Sequence, residues 1–318
     1  MGALIIRRLL LAVLTLVLVS IIVFVAIEAL PGDMATAALG REASNEESLN
    51  AMREEFGLNR PATVRYVEWF TGALQGDLGE SIVRRKSINE LIGFRLRNTL
   101  VLAVAASILG IPLSIFLGVF TGLYRDRVPD VIVSTVAIFA MTLPEFVTGT
   151  ILIFVFAIRL DWFPALATLP TGAPIMEVLP NIALPIITLT LVMVAHILRL
   201  VRTSMIDVMI SDYVNMARLK GVPAWRIVWK HALPNAMLPT INIVALTIAW
   251  LLGGVVIIEA VFNYPGIGTL MLNGISDRDL FLVQGIAIIL ATIYIVVNLL
   301  ADIATILLNP RLRTSLGH

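Results

Sequence analysis

Residues 9–30 read LLLAVLTLVLVSIIVFVAIEAL, and from Leu9 to Ile27 there are 19 residues without a charge. A helix needs about 20 mostly apolar residues to cross the hydrocarbon of a bilayer, whereas the apolar core of a secretory signal is about 7–15 residues long. The run is therefore expected to be a retained first membrane helix, although Arg7-Arg8 precede it as the basic region of a signal would. Five comparable stretches follow, at about 99–122, 131–158, 182–201, 237–259 and 282–307. They predict an all-α, polytopic membrane protein with six transmembrane helices. The runs are too continuous for the alternating strands of a membrane barrel, and lipid leaves the backbone polar groups of each span to be satisfied within the segment. The third run is the longest and is expected to be one tilted or partly interfacial span.

Composition agrees with that reading. Of the 318 residues, 58% are hydrophobic and 14% charged, with a mean hydropathy of +0.94, against about 45–50% and 25% in soluble domains. Disordered and collagen-like chains are excluded. The 23 basic and 22 acidic residues nearly cancel, which removes the electrostatic footprint of a nucleic-acid partner. With no cysteine there is no disulfide framework and no thiolate site. The methionines at helical spacing read as core, so no metal site is expected.

Lysine and arginine placement sets the orientation. With the N-terminus in the cytoplasm, twelve lie inside, from Arg7 and Arg8 through Arg125, Arg127, Arg199, Arg202, Arg218, Lys220, Arg226 and Lys230 to Arg311 and Arg313. Only Arg159 and Arg278 fall in short outside loops. Both termini are expected to be cytoplasmic. The long outside segment, residues 31–98, is expected to hold two helices: one opened by a Ser44/Glu47 capping box and ended by Gly57, and a second over 62–74, with Pro61 suited to a first helical position and Gly76 following. It reads either as a solvated cap or as a docking platform for an extracytoplasmic partner.

Between the fourth and fifth spans lie about 35 residues on the inside. Residues 203–220 read as one helix that Gly221 and Pro223 terminate. Residues 224–231, Ala-Trp-Arg-Ile-Val-Trp-Lys-His, read as a short amphipathic helix closed by Leu233-Pro234. By composition alone this could be an interfacial helix on lipid headgroups. The spacing of Ala217-x-x-x-Gly221, nine residues, then His231-Ala232-Leu233-Pro234 resembles the cytoplasmic coupling loop of binding-protein-dependent ABC importers, with Asn215-Met216-Ala217 in place of Glu-Ala-Ala.

The resemblance covers nearly the whole chain and is to the first permease subunit of the dipeptide/oligopeptide/nickel importers. It is carried by Arg7-Arg8-Leu9-Leu10, Pro31-Gly32-Asp33, Gly57-Leu58-Asn59-Arg60-Pro61, Gly76-Asp77-Leu78-Gly79 and Arg97-Asn98-Thr99-Leu100. It continues through Asp212-Tyr213-Val214, Leu251-Leu252-Gly253-Gly254, Glu259-x-x-Phe262, Gly266-x-Gly268, Arg278-Asp279 and Asn309-Pro310-Arg311. Leu233-Pro234-Asn235, and Thr142-Leu143-Pro144-Glu145-Phe146, depart from the family's usual residues. The resemblance implies an N-terminal region over 1–95, a permease domain over 96–310 containing a coupling loop at 203–236, and a tail at 311–318. It also implies a homologous second permease, two cytoplasmic ATPases that use ATP and Mg, and a periplasmic solute-binding protein. This chain has no Gly-x-x-x-x-Gly-Lys-Ser/Thr phosphate loop and is expected neither to hydrolyse ATP nor to bind a cofactor.

The expected coupling residues are Ala217, Gly221, Trp225, Arg226, Ile227, Val228, Trp229, Lys230, His231, Leu233 and Pro234. Trp225, Ile227, Val228 and Trp229 are the expected anchors in an ATPase groove. Pro144 and Glu145 are candidates for the solute path, since a mid-span charge is usually paired or pathway-facing. Glu145 reads equally as a protonated packing residue. Asp77, Glu259 and Asp279 are candidate contacts for the binding protein. Glu28 and Glu259 are placed near the outer interface, His196 and Asp302 near the inner ends of their spans, and Gly253-Gly254 at a close helix approach. A secondary transporter and an intramembrane protease are the competing classes. The first calls for inverted repeats and the second for a catalytic motif, and neither is evident in the sequence. The solute is expected to be peptide-like.

Overall fold

The computed structural model describes residues 2–29, 34–39, 45–168 and 175–308. In chain order the helices are α1 (Gly2–Glu28), α2 (Met34–Leu39), α3 (Glu46–Glu55) and α4 (Ala62–Leu74). A two-stranded antiparallel ribbon follows, β1 (Glu80–Ser81) and β2 (Lys86–Ser87), paired Glu80 to Ser87 and Ser81 to Lys86. Then come α5 (Ile88–Leu123), α6 (Val128–Thr142), α7 (Glu145–Leu152) with a π-helical extension over Ile153–Arg159, α8 (Ile175–Met209) and α9 (Asp212–Leu219). The single turn α10 (Ala224–Arg226) continues through a π-helical stretch, Ile227–Ala232, into α11 (Leu233–Val261), before α12 (Ile267–Ser276) and α13 (Leu280–Leu308).

Among the described residues, five helices are long and apolar enough to cross a membrane, and a sixth crossing exists if α6 and α7 with its extension are one broken span. That pair is the first correction to the sequence reading. Residues 131–158 do not form one tilted rod, because the two halves are bent by 109°. Leu143 is extended (φ −80°, ψ 128°) ahead of Pro144, which caps α7. Proline disfavours the helical region for the residue before it and cannot donate to the preceding turn. At the other extreme α5 runs 36 residues, about 54 Å at 1.5 Å per residue, and so extends beyond a hydrocarbon layer of about 30 Å.

The chain forms two compact units. The first comprises 1–99 with 265–295. Its core joins Leu78, Ile88 and Ile92 to Ile267, Leu270, Leu282 and Ile286, with a smaller cluster of Phe24, Ile82 and Leu280. The helices here fall where the sequence places them, but their N-caps differ. Helix α4 spans the expected residues, although Pro61 is its N-cap rather than its first helical residue. Helix α3 is capped by Asn45, whose Oδ1 accepts from the Glu47 N–H at 3.0 Å. The expected cap, Ser44, lies outside the described residues, as do Pro31-Gly32-Asp33, Asn309-Pro310-Arg311 and the tail at 311–318. The ribbon was not foreseen. It is fastened by Arg84, whose Nη2 donates to Asp277 at 3.0 Å, and by the Ser81 hydroxyl, which donates to Asp279.

The second unit comprises 100–264 with 296–318. Helix α8 is its central element, packed against α11 and α6, and its core includes Leu189, Met193, Ile197, Val201 and Met205 with Leu251, Val255, Ile258 and Phe262. Along α5, Gly110, Gly118 and Gly122 face Met193, Val201 and Met205 of α8. Small residues let membrane helices approach closely. A Cβ on Gly118 would sit 2.6 Å from the Val201 Cβ and 2.9 Å from the Leu198 carbonyl oxygen. Gly118→Ala is thus expected to cost about 1–3 kcal/mol by overpacking, despite alanine's better helix propensity of about 1 kcal/mol. Thermal unfolding of the solubilised chain checks this, with Gly93→Ala, where a Cβ meets nothing within 4 Å, as the control.

Candidate coupling and solute-path sites

The segment after α8 is built from two caps. The sequence suggested one helix over 203–220, but the structure breaks it at Ile210–Ser211, where Ser211 is extended (ψ 152°) and caps α9. Met205 and Met209 therefore pack on the core, while Met216 and Leu219 are exposed. Helix α9 then ends in a Schellman motif. The Gly221 N–H bonds to the Arg218 carbonyl at 2.9 Å, and the Val222 N–H bonds to the Ala217 carbonyl at 3.1 Å. Gly221 has φ +75°, a conformation open to glycine at little cost. The Ala217-x-x-x-Gly221 spacing is thus the distance between the last-turn acceptor and the left-handed residue that turns the chain.

After Pro223, the N-cap of α10, the expected short helix forms but Leu233-Pro234 does not close it. Pro234 sits in the first turn of α11, where a missing N–H is tolerated, and the π-helical stretch carries the chain into that helix. The four expected anchors divide. Ile227 is only 2% exposed and Val228 packs against the core, whereas Trp225 and Trp229 are 63% and 66% exposed. Four residues apart, the two indoles share one helical face. The Arg226 guanidinium lies 5.4 Å from the Trp225 ring centroid. Lys230 and Pro234 are also exposed, and Ala217, His231 and Leu233 are half-buried. Sequence reasoning missed Ile210, Met216 and Leu219, which are exposed apolar side chains close in the chain to the tryptophans.

At the α6–α7 break, Pro144 is exposed and Glu145 is half-buried. The Glu145 Oε2 is enclosed and has no hydrogen-bond partner, and the same is true of the Thr148 Oγ1 one turn on. His196, expected near the inner end of its span, lies in the helix Val178–Met209 and is exposed on this chain. It is within electrostatic range of Glu145. The side chain of Asp302 and the surroundings of Gly253-Gly254 fall outside the described residues.

Two of the three candidate binding-protein contacts are buried within the chain. Glu259 is fully buried. Burial pushes the Tyr264 hydroxyl's pKa well up, and the Glu259 charge adds to it. Asp279 is buried too. Its Oδ2 accepts from Ser81, its Oδ1 accepts from the Leu282 N–H at 3.4 Å, and Arg84 Nη1 stands 3.8 Å away. Burial raises its pKa, and the Ser81 hydrogen bond opposes that. Both carboxylates are committed to internal structure. Asp77 is exposed, with its Oδ1 accepting from the Gly79 N–H at 2.9 Å.

Comparison with known proteins covers the same ground. Residues 98–314 match the family described as binding-protein-dependent transport system inner membrane component, and residues 1–103 match the N-terminal region described for such membrane components. A putative peptide permease of Brucella ovis is 34% identical over 97% of this chain and 98% of its own length. A probable peptide ABC transporter permease of Sinorhizobium fredii is 33% identical over 98% of this chain and its own full length. A glutathione transport system permease of Escherichia coli is 33% identical over 97% of this chain and 98% of its own.

Proposed function

We propose, given that this chain belongs to the family of binding-protein-dependent transport system inner membrane components, that it forms the import path for a peptide-like solute together with a homologous second permease. It is a multi-pass permease subunit of an ABC importer. The relatives named above include peptide permeases and a glutathione permease, and glutathione is itself a tripeptide. The observation that carries the mechanism is the exposed Trp225/Trp229 face, which follows the Gly221 turn on a segment whose other side is buried. In this reading the face docks in a groove of a cytoplasmic ATPase, as an amphipathic helix docks in a receptor, with Arg226 and Lys230 at the rim. ATP and Mg act in two such partner subunits. Their closure would move α9 and the π-helical stretch together and rock α8 and α11. Pro144 and Glu145 lie along the path, and Asp77 is offered to a periplasmic binding protein. The membrane is the bacterial inner membrane, with both termini in the cytoplasm.

The test is reconstitution. The chain is expected to purify with one second permease and two ATPase subunits, and uptake in proteoliposomes is expected to require ATP and the binding protein. Uptake by this chain alone, driven by an ion gradient, would overturn the reading.

A further inference from the structure

The geometry points to an ammonium-binding subsite made by Glu145 and Thr148, with His196 beside it, which takes the free α-amino group of the solute. This inference deepens the importer reading and rests on it.

Glu145 and Thr148 are three residues apart at the start of α7, so they share a face. Each holds an enclosed oxygen with no hydrogen-bond partner. An enclosed carboxylate oxygen left unpaired costs several kcal/mol, so the site calls for a donor that the chain does not supply. His196 of α8 stands within electrostatic range of Glu145. Its Nδ1 lies 2.9 Å from the Val192 carbonyl oxygen, and since a carbonyl only accepts, Nδ1 carries a hydrogen. A primary ammonium has three N–H donors, and two enclosed, unpaired acceptors stand one helical turn apart here.

The surroundings favour a water-filled path over lipid. His196 is exposed on the chain within an apolar helix, and ionisable side chains of membrane spans rarely face lipid because that is costly. Beside it lies Trp250 of α11, with ring centroids 5.8 Å apart and the indole 41% exposed. An indole face attracts a cation. The 109° break at Leu143-Pro144 is what turns Glu145 toward α8 instead of leaving it within a straight helix.

The test uses the complete importer in lipid nanodiscs, treated with dicyclohexylcarbodiimide, which modifies protonated carboxyl groups in apolar surroundings. Mass spectrometry locates the modified residue. Glu145 is expected to be modified, millimolar trialanine is expected to slow the modification at least fivefold, and N-acetyl-trialanine is expected to leave it unchanged. Thr148→Val is expected to keep the modification but weaken the protection. Equal protection by both peptides, no protection by either, or no modification of Glu145 overturns the subsite. Any of these results in a complex that still purifies with its ATPases sinks the subsite alone, whereas a chain that recruits no ATPases sinks the importer reading.

Discussion

The double variant Trp225→Ala/Trp229→Ala is expected to insert and fold normally yet lose its ATPases on purification, and solute-stimulated ATP turnover is expected to fall at least tenfold. Both indoles stand nearly two-thirds exposed, so their removal opens no cavity within this chain. Truncating a buried tryptophan anchor at an interface typically costs about 2 kcal/mol or more, and about 1.4 kcal/mol is a factor of ten in affinity. Two anchors therefore account for a loss of roughly two to three orders of magnitude in docking, less any energy the two share. Ile227→Ala makes the contrast. That side chain is 2% exposed, and large-to-small changes at such sites cost about 2–5 kcal/mol of stability, so this variant is expected to unfold at lower temperature. Unchanged ATPase retention in the tryptophan double variant removes the docking assignment, even if the family membership stands.

That division of the four anchors marks the limit of what could be read from sequence. Helix placement was legible because apolar runs, prolines and glycines act within a few residues of themselves. Ala62–Leu74, the glycine turns at 57, 76 and 221, and the apolar spans all belong to that class. What could not be read depends on which side of an element meets another. A composition of Trp-Arg-Ile-Val-Trp gives four equivalent apolar candidates, and only the packing of the π-helical stretch separates Ile227 and Val228 from the tryptophans. Glu259 and Asp279 look like ordinary charges at helix ends until the Ser81 hydroxyl, 198 residues away in sequence, is seen on Asp279. The 109° break was half legible, since Pro144 signals a kink but not its angle.

A second large effect comes from a pair that no sequence pattern joins. Asp130 at the start of α6 and Arg202 near the end of α8 are 72 residues apart and bonded in fork-to-fork fashion, Nε to Oδ1 at 2.6 Å and Nη2 to Oδ2 at 2.7 Å. The Ser134 hydroxyl donates to Oδ1 at 3.0 Å, and the Asp126 N–H donates to Oδ2 at 2.9 Å. The Asp130 side chain is 2% exposed and that of Arg202 is 26% exposed, so the two halves of the pair differ in how well each survives alone. Arg202→Ala leaves a buried carboxylate without its cation and is expected to cost about 3–5 kcal/mol. Asp130→Ala leaves a guanidinium that still reaches the surface and is expected to cost clearly less. Arg202→Lys keeps the charge but not the planar fork and is expected to fall between them. The double variant Asp130→Leu/Arg202→Met, with no charge left to desolvate, is expected to recover much of the loss. Thermal unfolding of the four solubilised variants measures the order. Equal destabilisation by the two alanine variants would mean that the pair contributes only packing, because the predicted asymmetry comes entirely from the difference in burial of the two charges.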